Sequence, residues 1–134
     1  MPIITSISTV AKQIFELSGA IKDSRGDRRA RVIYYCNNAG NHVSEIAAEL
    51  RLNRIPGKEC LELRDAISRC SEVVLKMADV PGLTLLLDEL CTPQADIKIY
   101  DEFNSSDSKE EELKQLDEAS GLLRALAKSA RAAP

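Results

Sequence analysis

The stretch that decides the fold is Arg28–Leu52, RRARVIYYCNNAGNHVSEIAAELRL. Its apolar side chains recur at spacings of three and four residues, the period of one helix face, and they are Val32, Cys36, Ala39, Val43, Ile46 and Leu50. The same phase continues on both sides of Gly40, although a glycine inside a helix costs about 1 kcal/mol relative to alanine. We therefore predict one continuous helix over Arg28–Leu52, with Gly40 as its weak point.

Other segments on both sides of this stretch show the same helical period. The further predicted helices are Thr5–Lys22, Lys58–Ala78, a short helix over Leu83–Leu90, and Lys109–Ala130. Thr5 or Ser6 is the predicted N-cap of the first, and Ser108 has capping-box spacing with Glu111 at the start of the last. Turns with glycine or proline separate most of these helices.

The segment Ala95–Tyr100 differs, because its apolar and polar residues alternate. Alternation is typical of a strand. The chain offers no partner strand, so we predict an extended connector there. The fold prediction is all-α: an up-and-down bundle of four to five helices, with one short extended segment near 95–100 and a single domain over 1–134. One hypothesis is that this domain is the N-terminal module of a longer protein.

The chain has 134 residues and a net charge of −3, so it lacks the overall positive field of nucleic-acid binders. The charge is uneven, since residues 1–67 carry ten Lys/Arg and eight Asp/Glu, whereas residues 68–134 carry eight and thirteen. This difference indicates either that the two halves pack together or that the protein has two different outer faces. Only Tyr34 and Tyr35 accompany the basic residues, so we predict no nucleic-acid partner.

The four cysteines, Cys36, Cys60, Cys70 and Cys91, include no CxxC pair, and His42 is the only histidine. The first three lie on apolar stripes, where a free thiol behaves as a small hydrophobic group. We predict reduced core cysteines and no metal site. No signal peptide or membrane-spanning run is visible, so a cytoplasmic location is expected.

The sequence also lacks recognisable catalytic motifs. The phosphate-binding patterns GxxxxGK[ST] and GxGxxG are absent. A histidine in a helical bundle is typical of phosphotransfer domains, but those usually place a basic residue and a glycine after it, whereas His42 is followed by Val43, Ser44 and Glu45. We predict no enzyme activity, no cofactor and no small-molecule substrate.

One basic cluster stands at the turn into Arg28–Leu52. Its residues are Lys22, Arg25, Arg28, Arg29 and Arg31. With Asp23 and Asp27 alongside, they could form a solvated turn with local ion pairs. The alternative is a binding patch for an acidic protein surface or for anionic lipid, where each basic residue near the membrane contributes about 1 kcal/mol.

The N-terminal segment Ile3–Leu17, IITSISTVAKQIFEL, followed by this basic cluster and two long helices, resembles the N-terminal helical bundles of cell-death and innate-immunity effectors. These include HeLo and HeLo-like domains and the helical domain of mixed-lineage-kinase-like proteins. The resemblance spans residues 3–80 as a pattern and implies oligomerisation on activation and membrane targeting. The positions that would carry this role are Ile7, Val10, Ile14, Lys22, Arg25, Arg28, Arg29 and Arg31. Such bundles do not require the segment Ala95–Tyr100 or the acidic start of the last helix.

The long apolar stripes without site chemistry predict a non-catalytic helical module that binds a protein partner or itself. The alternative is a membrane-targeting bundle of the cell-death and immunity type. A histidine phosphotransfer domain ranks third.

Overall fold

The structure is a computed structural model, and it describes residues 2–133. Within that range the chain forms seven helices: α1 (Ile3–Phe15), α2 (Ser18–Asp23), α3 (Asp27–Arg51), α4 (Gly57–Val74), α5 (Pro81–Cys91), α6 (Ala95–Asn104) and α7 (Lys109–Ala132). The all-α prediction is confirmed. The helices outnumber the predicted four to five because the first segment divides in two and Ala95–Asn104 is helical.

Helices α3 and α7 form the most extensive helix pair and run antiparallel. Arg29 at the start of α3 donates to the carbonyl of Ala133 after α7, whereas Arg51 at the end of α3 pairs with Asp117, Nη2 to Oδ2 2.6 Å. Between these ends, the Ser120 hydroxyl donates to the Gly40 carbonyl oxygen at 2.7 Å, and both residues are buried. The predicted continuous helix through Gly40 is confirmed.

Helix packing explains why a glycine occupies position 40, and the sequence alone does not show this. A Cβ atom at this position would lie 2.7 Å from Arg124 Cγ and 3.0 Å from the backbone oxygen of Ser120. Glycine therefore lets the two helix backbones approach closely. What the sequence presented as a weak point is where α7 lies nearest to α3.

The remaining helices enclose an aliphatic core against this pair. Helix α4 lies beside α3, with Cys36 Sγ 3.7 Å from Cys70 Sγ. Helix α1 runs antiparallel to α5: Gln13 Oε1 accepts from the Gly82 N–H, and the Ser6 hydroxyl donates to Glu89. Buried Ile, Leu, Val and Ala side chains from all these helices form one continuous cluster, which is the core expected from a chain without tryptophan.

The predicted helix Thr5–Lys22 is wrong in its bounds. Helix α1 already begins at Ile3, whose N–H donates to Glu102 Oε2 at 2.9 Å, so Thr5 and Ser6 are not its caps. Helix α1 ends at Phe15, and Leu17 takes φ −88° and ψ 11° before α2 begins. The break turns α2 so that Ile21 is fully buried.

The extended connector predicted at Ala95–Tyr100 is also wrong, because this segment lies in α6. The buried residues of α6 are Ala95, Ile99 and Phe103, which are four apart, whereas Ile97 is 38% exposed. The third member of this helical pattern, Phe103, lies outside the six residues on which the alternation was judged. Helix formation therefore buries the larger apolar set.

Candidate functional site

The helices pack side by side, so a plane across the middle of α3 divides the molecule into two halves. One half holds the end of α1, α2, the first half of α3, the end of α4, the start of α5 and the end of α7. The other half holds the start of α1, the end of α3, the start of α4, α6 and the start of α7. Tyr100 of α6, for example, donates through its hydroxyl to Asn53, just beyond the end of α3.

The charges are separated between these halves. The first, residues 9–39, 66–85 and 121–133, carries eleven Lys/Arg and five Asp/Glu, and we call it the basic half. The second, residues 2–8, 40–65 and 86–120, carries seven Lys/Arg and sixteen Asp/Glu, and we call it the acidic half. The antiparallel arrangement thus converts a weak asymmetry along the sequence into a strong one in space.

The five predicted binding residues do not share one environment. Arg29 holds the turn together, because its guanidinium donates to the carbonyls of Lys22 (2.9 Å) and Ala133 (3.3 Å). Arg31 lies 3.5 Å from Glu72 of α4, and Lys22 is half-buried. Only Arg25 and Arg28 are exposed with no ion pair or hydrogen bond from their side chains to residues 2–133.

Arg28 lies in the first turn of α3, next to exposed backbone N–H groups that already carry partial positive charge. A cation at a helix N-terminus is unfavourable by the helix dipole, typically by about 0.3–1 kcal/mol. Helix α7 has the favourable arrangement, with Glu110, Glu111 and Glu112 in its first turn, whereas the first turn of α3 combines Asp27 with Arg28. The helix dipole therefore explains the position of Glu110, Glu111 and Glu112, whereas it does not explain the position of the exposed Arg28.

The acidic half contains crowded carboxylates around the start of α1. Burial, and the nearby charges of Glu89 and Glu112, raise the pKa of Glu102, although the bond from the Ile3 N–H opposes this rise. One carboxylate oxygen each of Glu89 and Glu112 is buried without a hydrogen-bond partner among the described residues. Lys98, in the same helix, lowers the pKa of Glu102, so burial and the neighbouring carboxylates outweigh both this lysine and the Ile3 N–H.

A groove of about 460 Å³ lies between α3 and α4. Its wall includes Tyr34, Tyr35, His42, Leu61, Glu62 and Arg69. His42 Nδ1 lies 3.2 Å from Glu45 Oε1 and 3.2 Å from Glu62 Oε2. Two carboxylates at this distance would repel a phosphoryl group, so the geometry gives no support to phosphotransfer at His42.

Nothing in the sequence predicts that Glu62 lies next to His42. The signal that could have begun this grouping is the spacing of His42 and Glu45, which puts both on one helix face. The third residue belongs to α4, and no local pattern connects it to α3.

The cysteines lie as predicted, with Cys36, Cys60 and Cys70 buried and all four thiols free. The hydrogen bond with Cys70, together with burial, raises the pKa of Cys36. Burial, with the charges of Asp96 and Glu59, raises the pKa of Cys60 to about 12. Cys91 is exposed.

The apolar face of α1, including Ile7, Val10 and Ile14, lies within the core. Among the described residues, no helix combines the length and the apolar character that crossing a membrane requires.

Comparison of the chain with protein-family models, curated proteins and solved structures finds no match.

Proposed function

We propose that this protein is a non-catalytic helical self-association module whose copies join head to tail, the basic half of one against the acidic half of the next. The observation that carries the proposal is the separation of charge: an excess of six positive charges in one half and of nine negative charges in the other. Opposite potentials on two faces steer those faces together and fix their relative orientation.

A contact between two different faces of the same molecule is heterologous. Such a contact leaves one face of each kind free at the ends of the assembly, so copies add until a ring closes or a filament grows. A symmetric dimer that pairs like halves would place like charges together, whereas one that pairs each half with the opposite half of its partner would stop at two copies. Growth beyond two copies is therefore the behaviour that separates the proposed head-to-tail contact from a symmetric dimer.

The exposed residues best placed for the contact are Arg25 and Arg28 in the basic half and Glu110 and Glu111 in the acidic half. Arg25 and Arg28 make no contact that stabilises their own turn, so charge reversal there should leave the fold intact. Arg29 is excluded from the variants because its guanidinium binds two backbone carbonyls.

Sedimentation velocity over a concentration series tests the proposal. At about 20 mM salt, where charges are screened over roughly 20 Å, we expect a sedimentation coefficient that rises with concentration. At about 0.5 M salt screening shortens this range to a few ångströms, and we expect monomer. The double variants Arg25→Glu/Arg28→Glu and Glu110→Lys/Glu111→Lys should each remain monomeric at low salt.

Mixing the two variants gives the sharpest result. Each retains one native face, the arginine variant the acidic one and the glutamate variant the basic one. Alone, each variant carries the same charge at both faces; in the mixture every head-to-tail contact again pairs opposite charges, so we expect the two variants to associate in alternation. A symmetric dimer that pairs opposite halves would also be restored by mixing, so growth beyond two copies decides between the two contacts.

The control is Lys98→Glu/Lys114→Glu, which changes the net charge by as much as the arginine variant but lies in the acidic half. It should still associate. Monomeric wild-type protein at low salt and high concentration would refute the proposal, as would loss of association in the control to the same degree.

The second candidate is the membrane-targeting bundle, which the exposure of Arg25 and Arg28 also favours. It requires α1 to leave the core, since Ile7, Val10 and Ile14 are buried. Flotation with anionic vesicles distinguishes the two: binding that is lost in the arginine variant but kept in Glu110→Lys/Glu111→Lys supports membrane targeting, and no binding of the wild type contradicts it.

A further inference from the structure

We propose that His42, Glu45 and Glu62 form a binding site for a single divalent transition-metal ion, with zinc as the best-matched metal. The three residues lie in the acidic half, but none of them is changed in the self-association variants, so the two proposals are tested separately. Each of the three residues offers one ligand atom, and the three atoms lie within 4.8 Å of one another.

The site arises from two helices. His42 and Glu45 are three residues apart on α3, so both side chains leave the same face. Glu62 comes from α4, which runs beside α3 and presents its Oε2 atom to the same imidazole nitrogen. A metal held here would join the two helices that form the walls of the groove.

The distances suit a small cation. Zinc binds histidine nitrogen and carboxylate oxygen at about 2.0–2.2 Å, and two ligands of a tetrahedral ion at that bond length lie about 3.3 Å apart. The two measured distances from His42 Nδ1, both 3.2 Å, are close to that edge. The two carboxylate oxygens lie within 4.8 Å of each other, so rotation of the Glu45 or Glu62 side chain completes the set.

The donor set also selects the class of metal. One imidazole nitrogen and two carboxylate oxygens suit zinc and neighbouring transition metals, whereas calcium takes six to eight oxygens. Two carboxylates with a neutral imidazole balance the charge of a divalent ion. Three protein ligands leave a position open toward the groove, which is the arrangement of an open zinc site rather than a closed structural one.

Neighbouring residues hold one ligand in place. Lys58 Nζ lies 3.6 Å from Glu62 Oε1, whereas Oε2 is the oxygen that lies 3.2 Å from His42 Nδ1, so a metal at Oε2 leaves this ion pair in place. His42 is mostly enclosed, with 18% of its side chain exposed, which restricts the ring to few orientations. Such outer contacts orient metal ligands and raise affinity.

Competition titration of Zn²⁺ against a chromophoric chelator tests the site. The full chain carries Cys91→Ser in every sample, so that the exposed thiol does not bind the metal. We expect one equivalent of zinc with micromolar affinity. His42→Gln should weaken binding by about 100-fold, and Glu45→Gln and Glu62→Gln by about 10-fold each.

Glu72→Gln is the matched control, because it removes the same charge from α4 near its other end and should leave zinc binding unchanged. Circular dichroism checks that each variant is folded, and the exposed Glu45→Gln keeps the test decisive if a change at His42 disturbs the helix. No stoichiometric zinc binding, or binding that survives both His42→Gln and Glu45→Gln, would show that the three residues form only an ion-pair cluster.

Discussion

The two sides of α3 are built differently. Toward α7 the backbones come close enough that Gly40 has no room for a Cβ atom, and the contact includes a buried hydrogen bond from Ser120. Toward α4 the outer rim opens into a groove lined by His42, Glu62 and other polar side chains. One side of the helix therefore serves stability, and the other leaves room for a ligand.

The groove between α3 and α4 is shallow. Cys36 and Cys70 meet beneath it at 3.7 Å and are both fully buried. The α3–α4 contact is therefore closed at its base and open only at its rim.

The largest expected effect concerns the thiols beneath the groove. A thiol reacts as its thiolate, and burial both raises the pKa of Cys36 and blocks the reagent. Titration with an aromatic disulfide reagent should show one fast equivalent, Cys91, and three that react about 1,000-fold more slowly, through local opening. Cys91→Ser should abolish the fast phase. Fast reaction of Cys36 or Cys70 would show that the groove extends to the core.

Gly40→Leu should disrupt the close contact between α3 and α7. Leucine favours helix over glycine, so any loss must come from packing against Arg124 and the Ser120 backbone. We expect the free energy of unfolding to fall by about 3 kcal/mol in chemical denaturation.

Gly121→Ala is the control for that variant, because a Cβ at Gly121 would meet nothing within 4 Å. It should raise the free energy of unfolding by about 0.5–1 kcal/mol through helix propensity. If Gly40→Leu were as stable as the wild type, the close approach of α3 and α7 would be wrong.

Ser120→Ala removes the buried hydrogen bond to the Gly40 carbonyl and leaves the helices otherwise in place. The expected loss in thermal or denaturant unfolding is about 1 kcal/mol, the usual contribution of one such bond. Ser129→Ala, on the exposed face of the same helix, should change stability by less than about 0.5 kcal/mol. Equal effects of the two changes would contradict the contact.

The smallest effect is expected on the open side. Leu61 lines the groove and is 57% exposed, and glutamine has a similar helix propensity. Leu61→Gln should therefore change the free energy of unfolding by no more than about 0.5 kcal/mol. A loss above about 1 kcal/mol would mean that the rim of the groove is packed rather than open.

Much of the fold could be predicted because helical periodicity is a local property. The stripe from Val32 to Leu50 indicated α3, and the buried cysteines followed from their places on such stripes. The extended connector was predicted because Ala95–Tyr100 alternates, but Phe103, outside that segment, completes a helical set. The single first helix was predicted because its apolar spacing continues to Ile21, but the helix is interrupted at Leu17. Of the predicted basic site, Arg25 and Arg28 are exposed as a binding patch requires, whereas Arg29 stabilises the turn.

The sequence by itself determined most of the helical segments and most of the residues that enter the core, because burial of apolar side chains repeats with the helix period. Only the tertiary structure decided which polar residues meet. The grouping of Glu62 with His42, the role of Gly40 and the division into a basic and an acidic half all depend on how antiparallel helices are rotated and shifted against one another. Packing of the whole core sets those rotations and shifts, so no local sequence pattern predicts them.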